Sequence, residues 1–331
     1  MRESLGTRPV GRPARVRPAA TPGGSLTAER RPPSPRDRFI SNDDYRAARE
    51  WLRYEGTAQR ELFRQLRERF LVRHAPPARW ALDAGSGPGR FTAKLGAAGT
   101  QRRVALDIGR EMLVQLVDRW PSDIGAPDAP DLVLGDGVRP PFGERSFDLV
   151  AALGNLLGFA GAESDRLLES LTALLAGGGT LLLEIAPGPG ERSRYLRRLP
   201  PRSVARLMRA PPRAVATRVE REGFIEETRR KAEPGDFRRV GVEALQERLV
   251  GKGFHVEEVI AVAPALGPDA TRAAEVARDP KAWTHLLEVE ELLGRSPDRW
   301  ASSAAVLVAA IGPALPESPS PPRPPPKRRI K

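Results

Sequence analysis

A chain of 331 residues with 40% apolar residues is long enough for one large domain or two small ones and can bury a core. It has no cysteine, which excludes disulfides, thiolate zinc sites, cysteine-ligated iron–sulfur clusters and radical chemistry run from such clusters. The net charge of +12 sits mostly at the ends: residues 1–37 hold eight arginines against three acids, and residues 313–331 hold five basic residues against Glu317. The middle is only mildly basic, whereas a nucleic-acid enzyme more often carries its basic patch on the folded domain. No apolar run reaches membrane-spanning length and no apolar signal core opens the chain, so a cytoplasmic protein is expected.

Residues 1–37 are rich in Pro, Arg and Gly without periodicity and read as a disordered basic tail. An upstream start-site error accounts for this stretch better than a functional tail or a transit segment, since nothing in it carries chemistry. Residues 43–74 read as two amphipathic helices broken near Gly56, with Trp51, Leu52, Leu62, Leu66 and Phe70 at helical spacing. Then Trp80–Leu82 is an apolar run of the kind a buried parallel strand shows, ended by Asp83. Gly85, Ser86, Gly87 and Gly89 follow as a tight turn, and Phe91–Leu95 resumes at helical spacing. Glycines let a ligand approach the backbone, and the helix start offers free N–H groups to polar or anionic atoms.

The glycine spacing separates two readings. A dinucleotide fingerprint is G-x-G-x-x-G. Here the pattern is D-x-G-x-G-x-G, with Arg90 at the third position after Gly87. It resembles the first motif of the class I S-adenosylmethionine-dependent methyltransferases. The resemblance implies that Asp83 holds the methionine ammonium and that the turn passes under the cofactor, S-adenosyl-L-methionine. It also implies that the helices before the first strand lie across the cofactor, where Tyr45 and Tyr54 could reach it.

The strands that follow extend the resemblance. Arg103–Ile108 is a second apolar run ending at Asp107, the position from which an acid accepts from both ribose hydroxyls, with Ile108 beside it. Met112 and Leu113 follow on a helix, where an apolar residue packs on ribose or adenine or simply in the core. Leu132–Asp136 is a third strand. Asp136 and Gly137 then match the family's adenine-contacting stretch, although Pro stands at the usual Leu before Pro141 and Phe142. Phe147–Leu153 is a fourth strand running into Gly154, Asn155 and Leu156, where Asn155 is expected to touch the methionine end. Residues 164–176 read as an amphipathic helix stopped by three glycines, and Thr180–Ile185 as the fifth strand.

Residues 188–236 are longer than a plain connection and are crowded with arginines, among them Arg192, Arg194, Arg197 and Arg198 beside Tyr195. Within them, Val215–Thr228 alternates like two strands around Gly223. This insert reads as a cap over the site, its arginines offering paired donors to an anionic substrate. Val242–Gly253 is a helix, Phe254–Pro264 a sixth strand and Ser302–Ile311 a seventh. Helical stretches at 270–278 and 281–293 intervene as a second cap insertion (265–300). The Pro-rich residues 313–331 read as a second disordered tail.

The expected fold is therefore α/β: a doubly wound, mostly parallel sheet in the order 3-2-1-4-5-7-6 with strand seven antiparallel, over residues 38–312. Methyl transfer from a sulfonium needs alignment and desolvation more than a triad. For a base, His285, Tyr195 and Glu184 are the candidates, each with a structural role as its competing explanation. No metal site is read from the sequence. The expected activity is methyl transfer to a small molecule. An RNA or DNA methyltransferase is the second reading, against which stand the missing N/D-P-P-Y/F box after strand four and the missing cysteine. A non-catalytic cofactor-binding partner protein is the third.

Overall fold

The computed structural model describes residues 44–120, 128–188, 191–222, 224–226, 239–301 and 303–314. The tail 1–37 and residues 315–331 of the second tail lie outside these. Seven strands form the main sheet: β1 (Trp80–Ala84), β2 (Arg102–Asp107), β3 (Asp131–Leu134), β4 (Phe147–Ala152), β5 (Leu175–Ile185), β8 (His255–Ala261) and β9 (Val306–Ile311). Their spatial order is β3-β2-β1-β4-β5-β9-β8, which is 3-2-1-4-5-7-6 when only these strands are counted. β1 to β5 pair in parallel, and β9 runs antiparallel to both β5 and β8. The apolar runs in β1, β4 and β5 lack polar alternation because both faces of these strands are covered.

One face is covered by α2 (Ala58–His74), whose Leu62, Leu66 and Phe70 recur every four residues and join one apolar cluster with Ala81, Leu149 and Leu182 of the sheet. Thr57 caps this helix by accepting from Arg60 N, and Gly56 at φ +83° separates it from α1 (Asp44–Leu52). The opposite face is covered by α6 (Ser164–Ala173) and α10 (Val242–Gly251), through Leu167, Leu168, Leu171, Leu245 and Leu249. Two short helices lead out of β1 and β2: α3 (Thr92–Ala97) and α4 (Arg110–Arg119). A single turn, α5 (Leu156–Phe159), follows β4.

Two expectations need correction. The glycines Gly177–Gly179 do not stop a helix that runs to 176. The helix ends at Ala173, and the glycines lie inside a longer β5. There they make an irregularity in the β4–β5 register, with Gly178 at φ +72° and Gly179 too close to the Ala176 carbonyl for any side chain. The first of the two strands expected around Gly223 is a helix: among the described residues the 188–236 insert contains α7 (Arg194–Arg198), α8 (Pro201–Leu207) and α9 (Pro212–Glu222), and Phe224–Glu226 (β7) pairs with Glu191–Ser193 (β6), while Gly223 and residues 227–238 lie outside the described residues. The apparent alternation in Val215–Glu220 hides the helical trio Val215, Ala216 and Val219, which is buried along one side of α9.

The second insertion forms α11 (Ala270–Val276) and α12 (Pro280–Gly294), each N-capped by an aspartate, Asp269 and Asp279. Gly294 lets α12 sit directly on β8, since a Cβ there would run into the Ala261 carbonyl oxygen and the Ile260 side chain. Gly294→Ala is expected to cost about 1–3 kcal/mol, read as a lowered midpoint in urea unfolding.

Candidate functional site

A cavity opens at the carboxyl ends of β1 to β4, where a doubly wound sheet places its ligands. The turn after β1 supplies its floor. Gly85 N and Ser86 N both donate to Leu106 O, at 2.8 and 3.0 Å, which stitches the turn to β2. Gly87 stands at φ +52°, and a Cβ on it would meet nothing within 4 Å, so its open side faces space. Gly89 stands at φ +81° with the Leu116 side chain of α4 where its Cβ would be. It therefore packs the turn against α4 and does not line the cavity.

Asp107 ends β2 and lines the cavity, 8% exposed. Its Oδ2 accepts from Gly87 N and its Oδ1 from Gly109 N, both at 2.8 Å. Burial pushes this carboxyl up to about 6, against those two backbone bonds. A carboxylate has about four lone-pair sites, so acceptor capacity remains for a ligand. From the β3 tip, Asp136 accepts from Val138 N at 3.0 Å, and both Asp136 and Gly137 line the cavity. Ile108, Met112 and Leu156 supply apolar wall, as do Phe91, Leu153 and Phe159.

Two of the named residues turn away from the cavity. Asp83 is 2% exposed and accepts from the Thr92 hydroxyl at 2.5 Å. Burial pushes it up to about 7 despite that bond. Asp83 lies inside β1, so the pleat aims it at the first residue of α3. Asn155 adopts the left-handed conformation at φ +67°. Its Oδ1 accepts from Ala186 N at 3.1 Å while the side chain packs on Gly158, tying the β4 tip to the end of β5.

The three candidate bases also lie off the cavity wall. Glu184, 1% exposed, receives Arg67 Nε and a terminal nitrogen at 2.8 and 2.6 Å, and accepts from Gly154 N at 2.9 Å. Although burial pushes the carboxyl up, Arg67 holds it below the usual carboxylate range. His285 Nδ1 faces the carbonyl oxygens of Met208 and Ala210 at 3.0 and 3.1 Å, a joint between α12 and the end of α8. Tyr195 carries Arg218 over its ring at 4.6 Å. No described residue of either insertion lines the cavity.

The lid comes instead from α1 and the turn after it. Glu50, Arg53 and Tyr54 line the cavity, while the Tyr45 side chain lies outside the described residues. Arg90, next to the glycine turn, pins this segment. It donates to Trp51 O and Glu55 Oε1 at 2.8 and 2.9 Å, and its guanidinium lies 3.9 Å from the Trp51 ring centre. Spacing alone named Arg90 only as the residue that breaks a dinucleotide pattern. Its stacking on Trp51 has no local signal in the sequence.

Residues 81–179 match a family model described as a methyltransferase domain. The strand order of the sheet is that of a Rossmann-like methyltransferase fold. No curated protein matches the chain. Among solved structures, a complex between the Haloferax volcanii Trm112 methyltransferase activator and a methyltransferase is similar at 18% identity. That match covers 86% of this chain and 100% of that one, with a TM-score of 0.49. Magnesium protoporphyrin IX methyltransferase from Synechocystis PCC 6803 with bound SAH is similar at 15% identity, over 84% of this chain and 97% of that one, with a TM-score of 0.48. An S-adenosylmethionine-dependent methyltransferase from Mesorhizobium loti shares 16% identity over 77% of this chain and 98% of that one, with a TM-score of 0.46.

A methyltransferase domain implies S-adenosylmethionine as its cofactor, and the cavity fits it. The open side of Gly87 gives room for close approach, and Asp107 keeps acceptor capacity for hydroxyl donors. A proton on Asp107 competes with such donors. With the carboxyl raised to about 6, S-adenosylhomocysteine affinity is expected to be flat above pH 7 and to fall as the pH drops below 6. Calorimetric titration between pH 5 and pH 8 checks this, and a flat Asp107→Asn profile would assign the dependence to this group.

Proposed function

We propose that the chain is an enzyme that transfers the methyl group of S-adenosylmethionine to a small-molecule acceptor in the cytoplasm. The observation that carries this reading is the buried Asp107 carboxylate on the cavity wall, already aligned by Gly87 N and Gly109 N for a hydroxyl-bearing cofactor. The cofactor supplies a sulfonium-activated methyl group: the acceptor–carbon bond forms as the carbon–sulfur bond breaks, the sulfur leaves with the electron pair, and the acceptor gives up its proton. In this reading Asp107 and Asp136 orient the adenosine. Leu153, Leu156, Phe91 and Phe159 exclude water from the reacting end, and Arg90 holds the lid segment closed over it. No described helix is long and apolar enough to cross a membrane.

The insert exposes nine arginines between Arg194 and Arg221, none of which lines the cavity, so they do not select the acceptor there. Among the described residues, ion pairs engage Arg202 with Glu275 and Arg209 with Asp279. The same arginines give the polynucleotide reading its one specific support. Incubation with methyl-labelled cofactor and two acceptor pools, small metabolites and total RNA, separates the two readings. Label in the small-molecule pool is the expected result. Label in RNA, with binding that weakens steeply as salt rises, would establish the second reading. Cofactor binding without transfer to either pool would leave a binding partner protein.

A further inference from the structure

The mild basicity between the two tails is an average over unlike parts. Residues 38–312 carry a net charge of +3, whereas residues 191–222 alone hold ten arginines and no lysine against Glu191, Glu220 and Glu222. The rest of that span is therefore net acidic. The helices of the first insertion turn the surplus outward. Along α8 and its C-cap, the buried Val204 and Met208 join the apolar cluster, while the exposed Arg202, Arg206 and Arg209 recur at i, i+4 and i+7 on the opposite side. On α9 the buried Val215, Ala216 and Val219 are opposed in the same way by Arg213, Arg218 and Arg221. On α7 Leu196 is buried and Arg194, Arg197 and Arg198 are exposed. The three helices are carried together: α9 packs on α7, and α11 packs along α8 while its Arg272 donates to the carbonyl oxygens of Arg197 and Leu199.

Elsewhere the chain matches its arginines with acids. On α2, Arg64 pairs with Glu61 and Glu68, Arg69 with Glu291, and Arg73 with Glu258 and Glu291. Among the described residues, ion pairs engage two of the nine exposed arginines of the insertion: Arg209 with Asp279 at 2.6 Å, and Arg202, 89% exposed, with Glu275 at 4.0 Å. The others repel one another, a cost that an anionic polymer would remove. Among the described residues, the exposed large apolar side chains are Leu52, Val72, Val117, Leu134 and Val250, all outside the insertion. A protein interface has a core of apolar and aromatic residues, and a helix lying on a membrane has an apolar face; this surface has neither. The one aromatic residue in 191–222, Tyr195, is half-buried and already carries Arg218 over its ring at 4.6 Å, so it offers no open platform to a base. What the surface fits is a row of phosphates, whose oxygens match the guanidinium fork and need no apolar partner.

We propose that the arginine-bearing outer side of α7, α8 and α9 is a docking surface for the phosphate backbone of a polynucleotide. None of the nine arginines lines the cavity, so docking holds the polynucleotide on the cap without making it the methyl acceptor. The inference rests on neither the cofactor nor the acceptor.

The test titrates the full chain into two fluorescein-labelled probes, a single-stranded polyuridylate and a DNA duplex of equal length, and reads anisotropy at several salt concentrations. Binding that weakens steeply with salt is expected. The triple variant Arg206→Gln, Arg213→Gln, Arg221→Gln is expected to bind polyuridylate about tenfold or more weakly at low salt, with a log–log salt slope shallower by about 2, since each lost phosphate contact to a single strand removes about 0.7. Far-ultraviolet circular dichroism checks that the variant is folded, and Arg194→Gln, Arg197→Gln, Arg198→Gln on α7 is a second, independent triple with the same expected loss. Triple variants that bind as wild type does, with the same slope, would place the binding elsewhere on the chain and overturn the inference. Wild-type protein that binds neither probe, or that binds phosphatidylserine vesicles and neither probe, would also overturn it.

Discussion

Glu184→Ala is expected to lower the unfolding free energy by about 3–5 kcal/mol. Arg67 is 4% exposed and reaches Glu184 through two hydrogen bonds that join α2 to the end of β5. Removing the carboxylate leaves a guanidinium in a water-excluded site with only Phe63 O as partner, and strips Gly154 N of its acceptor at the β4 tip. Desolvation of the unpaired charge decides the size of the effect, so replacing both partners by apolar residues should cost far less. Urea unfolding of Glu184→Ala and of an Arg67→Met, Glu184→Leu double variant checks both statements. A single variant within about 1 kcal/mol of wild type would show that the pair is not sealed from water. The sign with pH follows from the lowered Glu184 carboxyl. The contribution is present above the ordinary glutamate range and is lost as the pH falls through the folded-state value.

Asp107→Ala is expected to weaken S-adenosylhomocysteine about 100-fold, the equivalent of two hydrogen bonds to a charged acceptor at about 1.5 kcal/mol each. The loss has two sources. The ribose hydroxyls lose their acceptor, and Gly87 N and Gly109 N lose the group that fixes the turn and the start of α4. Asp107→Asn keeps the shape and half of the acceptors, and should fall between the two. Asp83→Ala should instead act mainly on stability, because its partner is Thr92 and not the cavity. Calorimetry and unfolding on the same three variants distinguish affinity from stability.

The contrast between Asp83 and Asp107 shows where reading the sequence ends. The apolar runs, the glycine turn and the acid after β2 were legible because each depends on local pattern: buried parallel strands are uniformly apolar, and a turn that needs φ > 0 is written in glycine. That pattern placed β1 to β5, the resemblance to a family supplied the reversed last strand, and nine of the residues named from the sequence line the cavity. The pattern did not determine which way a strand-tip side chain turns. Asp83 sits within β1, one residue of pleat away from the turn, and Asn155 takes a left-handed backbone that points it at Ala186 N. The α9 helix was misread because a six-residue stretch can satisfy both periods, and burial against α12 and α7 selected the helical one. The Arg67–Glu184 pair joins residues 117 apart, so no local spacing reveals it.

The most direct test of this account is calorimetric titration of the full chain with S-adenosylhomocysteine and, separately, with NADH. The account predicts micromolar binding of S-adenosylhomocysteine and no binding of NADH. Binding of NADH without S-adenosylhomocysteine would contradict it and would return the glycine turn to a dinucleotide role.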